Sequence, residues 1–551
     1  MTALPPPPPD LLRERPPARA GAVLYGLLLA VLAFYDLSGR SIFHRDLPRF
    51  ATIAREMLRS GDWLVPTQYG EVYANKPILY VWLVALSSLL PGDPTAFTLR
   101  LPSALALIAT GLATARWGRV RTGSVAAGRL AGLLAVTTYS MSELGRVGRP
   151  DMASTCFATI AAALVDEALL RSDGRRPWLG IGLALGGGFL SKGPVVLLIP
   201  AALVALPRAG TTLRGRWRRV RLDAAVLVAL VVSAAWLVPA TLHGGTGFAR
   251  RLVFDQVADR VKGEGNHQEA PWYYLATIPA GWLPWSPVLL AAGLAAATRR
   301  GRVALSGAQP VIAAAVALAV LCAVPTKEIR YAAILIPPLA VAAAQALLSW
   351  GRRGRDDDAP SPARVHLVGL GVFAVVAAVS AGVAAGTWPS TTPLLVPPAL
   401  VVLACGVGAL VRARGAISSR EVRGRATGMV VVLAACGMCA YWVVLGRYLV
   451  VTSVAENRAV AGALDPSVES VIVGGQPDVP LNPDVFYEGA PRARFVRDVN
   501  ALARVADVRP LQLIALDTDR AAIEALLGPT STVLTHPWAD GRTLLVLRRE
   551  R

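Results

Sequence analysis

The sequence predicts a polytopic α-helical membrane protein of about thirteen transmembrane helices, followed by a small extracytoplasmic α/β domain. Three observations predict it. Of the 551 residues 54% are hydrophobic and only 17% charged, where a soluble domain carries roughly 25% charged residues. Apolar runs bounded by charge recur along the chain at about the 17–25 residues that a bilayer requires. The formal charge of +20 falls in alternate connectors, as the positive-inside rule demands.

The runs lie near 21–38, 98–115, 126–142, 152–170, 178–191, 193–207, 222–241, 273–297, 309–325, 331–350, 365–386, 393–411 and 426–450. The pair 178–191 and 193–207 is short and meets at Ser191-Lys192-Gly193-Pro194, which reads as a helical hairpin. Pro77 to Leu90 is apolar enough to mimic a span. Counting it would invert every later loop, so it is read as a juxtamembrane helix.

With a cytoplasmic N-terminus, the connectors on that side hold 28 Arg and 7 Asp/Glu, a net of +21. Residues 452–551 hold 11 Arg and 13 acids, a net of −2, and the remainder carries +1. The basic surplus is therefore a topological signal, and a nucleic-acid partner is not needed to explain it. The run Arg214 to Arg219 reads as an anchor near anionic headgroups.

Three regions follow. Residues 1–20, with Pro5 to Pro9, read as a disordered cytoplasmic N-terminus, and the span after them as an uncleaved anchor. Residues 21–450 form the membrane domain, with outer loops at 39–97 and 242–272. Residues 451–551 switch to short β-rich runs, Val471 to Val473, Leu511 to Ala515, Thr532 to Leu534 and Leu544 to Leu547, with helices near 497–507 and 519–527. All five cysteines fall in apolar spans, which argues for buried thiols rather than disulfides.

The first outer loop opens with an amphipathic stretch. Phe50, Ile53, Ala54, Met57 and Leu58 recur at helical spacing while Arg49, Arg55, Glu56 and Arg59 take the other face, so the helix should lie on the membrane surface. The chain has 52 Arg but four Lys, Lys76, Lys192, Lys262 and Lys327, all in expected outer loops. A compact point charge suits phosphate binding; headgroup contact is the plain alternative. Asp46 sits at the mouth of the first span beside His44, Arg45 and Arg49. Asp151 begins the fourth span after Gly148-Arg149-Pro150, where capping of a helix start is an equal alternative to a functional role.

The block His44-Arg-Asp-Leu-Pro-Arg-Phe-Ala-Thr-Ile-Ala-Arg-Glu-Met-Leu-Arg-Ser-Gly-Asp-Trp-Leu-Val-Pro66, with Asn75-Lys-Pro-Ile-Leu-Tyr-Val-Trp82 and Arg100-Leu-Pro-Ser103, resembles the GT-C membrane glycosyltransferases. The nearest group holds the lipid A aminoarabinose transferase and the bacterial relatives of protein O-mannosyltransferases. Asp151, Ser191-Lys-Gly-Pro194, the segment Asp255 to Arg260, His267 to Trp272 with Pro284-Trp285, and Lys327 to Tyr331 follow in the expected order. The resemblance covers roughly 30–345.

The resemblance implies transfer of a sugar from a polyprenyl-phosphate carrier to a lipid, glycan or protein acceptor at the outer face of the cytoplasmic membrane. It implies Asp46 as the essential carboxylate and Asp151 as a second acid. Lys76, Arg260 and Tyr331 would hold the donor phosphate, with Lys192 and Arg330 as further candidates and Arg49 and Asn75 in support. The family commonly has acids where this chain has Leu47 and Asn75. Some relatives bind a metal at positions matching Asn75 and about Asp255; with one carboxamide in the set a tight zinc site is not expected, though Asp255, His267 and Glu269 could hold a looser divalent ion. A transporter or flippase of lipid-linked substrates is the rival class. It would place ionisable residues or repeated halves at mid-membrane, and the span interiors are nearly free of charge.

Overall fold

The computed structural model describes residues 19–35, 47–170, 177–208, 210–255, 268–283, 308–350, 462–465, 467–473, 493–496, 499–505, 510–537 and 543–549, with isolated positions at 37–38, 258, 285–286 and 288–290. Asp46, Arg260, His267, Lys262 and the expected spans at 365–386, 393–411 and 426–450 lie outside the described residues.

In chain order the helices are α1 (Arg19–Phe34), α2 (Leu47–Ser60), α3 (Leu79–Ser88), α4 (Ala96–Thr122), α5 (Val125–Val136), α6 (Tyr139–Val147), α7 (Pro150–Leu170), α8 (Trp178–Lys192), α9 (Leu198–Ala205), α10 (Leu213–Val220), α11 (Leu222–Gly244), α12 (Thr246–Ala249), α13 (Tyr273–Gly281), α14 (Gln309–Ala323), α15 (Ile336–Trp350) and α16 (Arg520–Leu527). The strands are β1 (Thr67–Gln68), β2 (Glu71–Val72), β3 (Glu469–Val473), β4 (Ala493–Val496), β5 (Leu511–Leu516), β6 (Ser531–Pro537) and β7 (Thr543–Arg549). Among the described residues α4, α7, α11 and the helical stretch Ile329–Ala346 are long and apolar enough to cross a membrane.

Packing divides the chain into one unit of residues 1–37, 75–80 and 100–446 and a second of 38–74, 81–99 and 447–551. In the first unit, small residues set the helix separations. A Cβ on Gly132 of α5 would lie 2.0 Å from the Tyr25 hydroxyl and 2.4 Å from the Gly111 carbonyl. On α8, Gly182 and Gly186 meet Val228 and Val232 of α11 in the same way, and Gly188 meets Val196. Glycine spaced by four lets two backbones approach closely, the packing device available where lipid supplies no hydrophobic drive. The expected hairpin forms: α8 ends at Lys192, Gly193 turns at φ 85°, and a 3-10 turn at Pro194–Leu197 leads into α9.

One expected span, 126–142, is broken. The Thr137 and Thr138 hydroxyls bond back to the carbonyls of Leu133 and Leu134, which favours a break or bend. The Trp285 indole N–H donates to Thr137 Oγ1 at 2.8 Å, and the Tyr139 amide leaves the helix ladder for the Leu283 carbonyl. The chain restarts as α6.

At the end of α7 remote from Asp151, about 22 Å away at 1.5 Å per residue, a buried charge knot forms. Asp166 accepts from Arg121, Arg208 and the Trp117 indole. Its neighbour Glu167 takes Arg116 at 2.8 Å.

In the second unit, α2 departs from expectation. Phe50, Ile53, Ala54 and Met57 are buried in the protein rather than left for a membrane surface, and Arg55 is buried too. Two charge-assisted bonds of 2.6 and 2.7 Å join Arg55 to Asp93, so the polar face is used for internal ties. Glu56 folds the following hairpin by accepting from the Thr67 hydroxyl and from the amides of Tyr69 and Gly70, the two positive-φ residues of the turn.

The C-terminal residues of that unit carry a five-stranded sheet ordered β4-β3-β5-β7-β6, with β3 parallel to β4 and β5, and β7 antiparallel to β5 and β6. Alternate residues Leu511, Leu513 and Ala515 pack with Val471, Val473, Leu545 and Leu547 beneath Leu502, Ile523 and Leu527, the period-2 pattern of a strand. Strand β4, Ala493-Arg-Phe-Val496, was not expected, because it is short and charged.

Candidate active site at the start of α7

The site grows from three chain turns. Gly148, in the left-handed region at φ 78°, ends α6. Pro150 then opens α7 as its first residue, where its missing N–H costs nothing. Asp151 is consequently inside the first turn rather than at the cap, and it is buried. Its carboxylate accepts from Lys192 Nζ, at the last position of α8. This pairing, not helix capping, accounts for the residue.

The third element is the 3-10 segment Ile329–Leu335 before α15. Arg330 Nε lies 3.6 Å from the same Asp151 oxygen. Glu328 accepts from Arg330 Nη2 and, at 3.0 Å, from the Tyr331 hydroxyl. Lys192 Nζ stands 4.1 Å from the centre of the Tyr331 ring, a cation–π contact. Two cations and two carboxylates thus interlock, formally neutral, at half-buried to buried positions. Glu328 escaped the sequence reading. The alternating charges of Lys327-Glu328-Ile329-Arg330 were the signal that could have found it.

Lys76 is half-buried in the turn before α3. Four residues on, buried Tyr80 lies 3.0 Å from Ser103 Oγ, and that hydroxyl bonds both the carbonyl and the amide of Arg149. The lysine's segment is thereby tied to the residues that start α7. Burial pushes the Tyr80 phenol well above its ordinary pKa; Ser103, Arg100 and Arg149 oppose the shift and Asp151 adds to it.

Lys327 is buried and donates to the carbonyls of Glu269 at 2.9 Å and Pro325 at 3.4 Å. A bridge between Gln268 and Thr326 and the Glu269 amide on Pro325 strap the same segment. Lys327 is thus a structural clamp beside the cluster. Arg100 donates to the Leu37 carbonyl and Arg146 to that of Leu32, placing buried cations at the carbonyl end of α1, the favourable end of a helix dipole. Arg49 is half-buried in the first turn of α2 and Asn75 is exposed.

The metal set fits poorly. Asp255 is 44% exposed and lies 3.6 Å from Arg250, and Glu269 is exposed. Among the described residues no three His, Cys, Asp or Glu side chains converge on a metal position.

Residues 75–238 match the family model for dolichyl-phosphate-mannose-protein mannosyltransferase. The chain is 30% identical over 271 residues to an undecaprenyl phosphate-α-4-amino-4-deoxy-L-arabinose arabinosyl transferase of Pectobacterium carotovorum, covering 48% of each chain. It is 34% identical over 304 residues to the corresponding transferase 1 of Sodalis glossinidius, covering 50% of this chain and 51% of that one. The chain spans about half the length of the curated relatives it matches. Its structure superposes on ArnT from Cupriavidus metallidurans bound to undecaprenyl phosphate with a TM-score of 0.75, at 20% identity over 96% of this chain and 98% of that one. The fold is GT-C. The archaeal oligosaccharyltransferase AglB from Archaeoglobus fulgidus, in complex with an inhibitory peptide and a dolichol-phosphate, shares it more distantly, with a TM-score of 0.51 at 12% identity over 96% of this chain and 74% of that one. The resemblance stated from the sequence is borne out by the family model over residues 75–238 and by the aligned relatives, and the shared fold agrees with it.

Proposed function

We propose that this protein is a glycosyltransferase that moves a sugar, a pentose or hexose, from a polyprenyl-phosphate carrier to a lipid, glycan or protein acceptor at the outer face of the cytoplasmic membrane. The observation that carries the reading is the Asp151–Lys192–Arg330–Tyr331 cluster, set in a GT-C fold that superposes on a transferase holding undecaprenyl phosphate.

In the transfer, the bond between the sugar's anomeric carbon and the phosphate oxygen breaks, and its electron pair leaves with the phosphate. An acceptor oxygen forms the new bond and gives up its proton. Asp46 is the carboxylate assigned to that proton. Charge growing on the phosphate calls for fixed cations, and Lys76, Arg260, Lys192 and Arg330 are assigned to it with the Tyr331 hydroxyl. Asp151 is assigned as the second acid, which orients the acceptor or shares the role of Asp46.

The reading includes about thirteen spans, a cytoplasmic N-terminus and an extracytoplasmic α/β domain over 451–551. It is tested with purified protein in vesicles and a radiolabelled polyprenyl-phosphate sugar. Transfer or slow hydrolysis of the sugar is expected. Donor binding that survives Lys76→Ala unchanged would remove that residue's role.

A further inference from the structure

Beyond a list of phosphate-binding cations, the geometry points to a carboxylate that competes with the substrate for them; this rests on the transferase reading above. We infer that Asp151 is an internal counter-ion, displaced from Lys192 when a phosphate ester binds and returned to it when the phosphate leaves.

The observations are these. Lys192 and Arg330 both face one oxygen of Asp151, and Arg330 and Tyr331 both face one oxygen of Glu328. The side chains of Lys192 and Asp151 are 9% and 6% exposed. Cations this withdrawn from water need a partner at all times, since an unpaired buried charge is costly. A phosphate therefore does not meet bare cations. It takes the place of a carboxylate already there, and the binding event is an exchange of one anion for another.

The exchange has a consequence for turnover. The donor is a phosphodiester with a single charge. The carrier left after transfer is a monoester with about −1.5 to −2 charges at neutral pH. Bare cations would hold this product harder than the donor. A carboxylate anchored in the first turn of α7, directly after Pro150, and unable to diffuse away, offsets that bias by reclaiming Lys192. The displaced Asp151 is also free to meet the acceptor only while donor is bound, which orders the two substrates.

The experiment measures binding of polyprenyl phosphate, neutral polyprenol and inorganic phosphate to the full-length protein in vesicles, for wild type, Asp151→Asn and Glu328→Gln. The amide keeps the shape of Asp151 and removes its charge. Asp151→Asn is expected to bind polyprenyl phosphate at least tenfold more tightly than wild type, with turnover limited by release of the carrier. Glu328→Gln should tighten binding in the same direction. Unchanged or weaker binding of polyprenyl phosphate by a well-folded Asp151→Asn variant overturns the inference while leaving the transferase reading intact. Equal binding of polyprenol and polyprenyl phosphate by wild type overturns both. Inorganic phosphate separates sources: tightening with polyprenyl phosphate and not with the free ion assigns the site to the lipid-linked ester, and tightening with neither contradicts exchange.

Discussion

The Tyr80 phenol lies 3.0 Å from the Ser103 hydroxyl, which itself bonds the main chain of Arg149 on both sides of the peptide. A residue four positions after Lys76 is thus joined through one hydroxyl to the start of α7. Tyr80→Phe removes that link and leaves Ser103 satisfied by Arg149. A hydrogen bond of this kind is worth about 0.5–1.5 kcal/mol, so the melting point should fall slightly. Donor KM should rise several-fold with a smaller change in kcat, and steady-state kinetics over a donor series would check the split.

Close glycine contacts make a second prediction. Gly132→Ala would drive a methyl into the Tyr25 hydroxyl and the Gly111 carbonyl, an overpacking that costs about 1–3 kcal/mol. Gly26, in α1, has nothing within 4 Å of its Cβ direction, so Gly26→Ala should be neutral or stabilising by up to about 1 kcal/mol. Thermal melts of the two variants in the same detergent should move in opposite directions or at least differ clearly.

The charge knot at the other end of α7 should be more sensitive. Asp166 is fully buried with Arg121 and Arg208 on its two oxygens. Asp166→Ala would strand two buried guanidinium groups, and breaking a buried pair from one side costs about 3–5 kcal/mol. Loss of folded protein on size-exclusion chromatography is expected, whereas Asp93→Ala, at the 44% exposed end of its pair with Arg55, should be tolerated better.

Acid should loosen the C-terminal sheet. The Ser467 hydroxyl and amide hold the Asp465 carboxyl below its usual range, with Arg548 assisting, and the Thr530 hydroxyl does the same for Glu524. A carboxylate whose folded pKa is depressed contributes stability that is present above its unfolded value and is lost as pH falls through the folded one. The unfolded references are 3.8 and 4.5, so protection should hold at neutral pH and fall below about pH 4.5. Amide hydrogen exchange in β5 and β7 measures it. Asp519, raised by burial, opposes the trend, and Asp465→Asn should flatten the acid limb.

The fold was legible where one pattern dominated. Apolar length marked α4, α7 and α11, and Ser191-Lys192-Gly193-Pro194 marked a hairpin because glycine and proline punctuate a helix regardless of context. The break at Thr137-Thr138 was not legible. It depends on threonine back-bonding and on Trp285, 148 residues distant in sequence. The surface reading of α2 was wrong for a related reason: amphipathicity shows that a face must be covered, not whether lipid or protein covers it. At the site, the confinement of the few lysines to outer loops pointed to Lys192 and the position of an acid at a span start to Asp151, while Arg330 and Tyr331 came from the family resemblance alone. That Asp151 holds Lys192 and that Glu328 ties Arg330 to Tyr331 are facts of three-dimensional closure between α7, α8 and the 3-10 segment. Spacing along the chain does not encode them.

Transfer of label from a polyprenyl-phosphate sugar by the purified, vesicle-embedded protein, compared between wild type and Asp46→Asn, bears most directly on the assignment. Wild type should release sugar from the carrier, and Asp46→Asn should lose at least about a hundredfold of that rate, within the span of a positioned general base, while still binding polyprenyl phosphate. Undiminished turnover by a well-folded Asp46→Asn variant, or no release of sugar from any polyprenyl-phosphate donor by wild type in the presence of envelope acceptors, would contradict it.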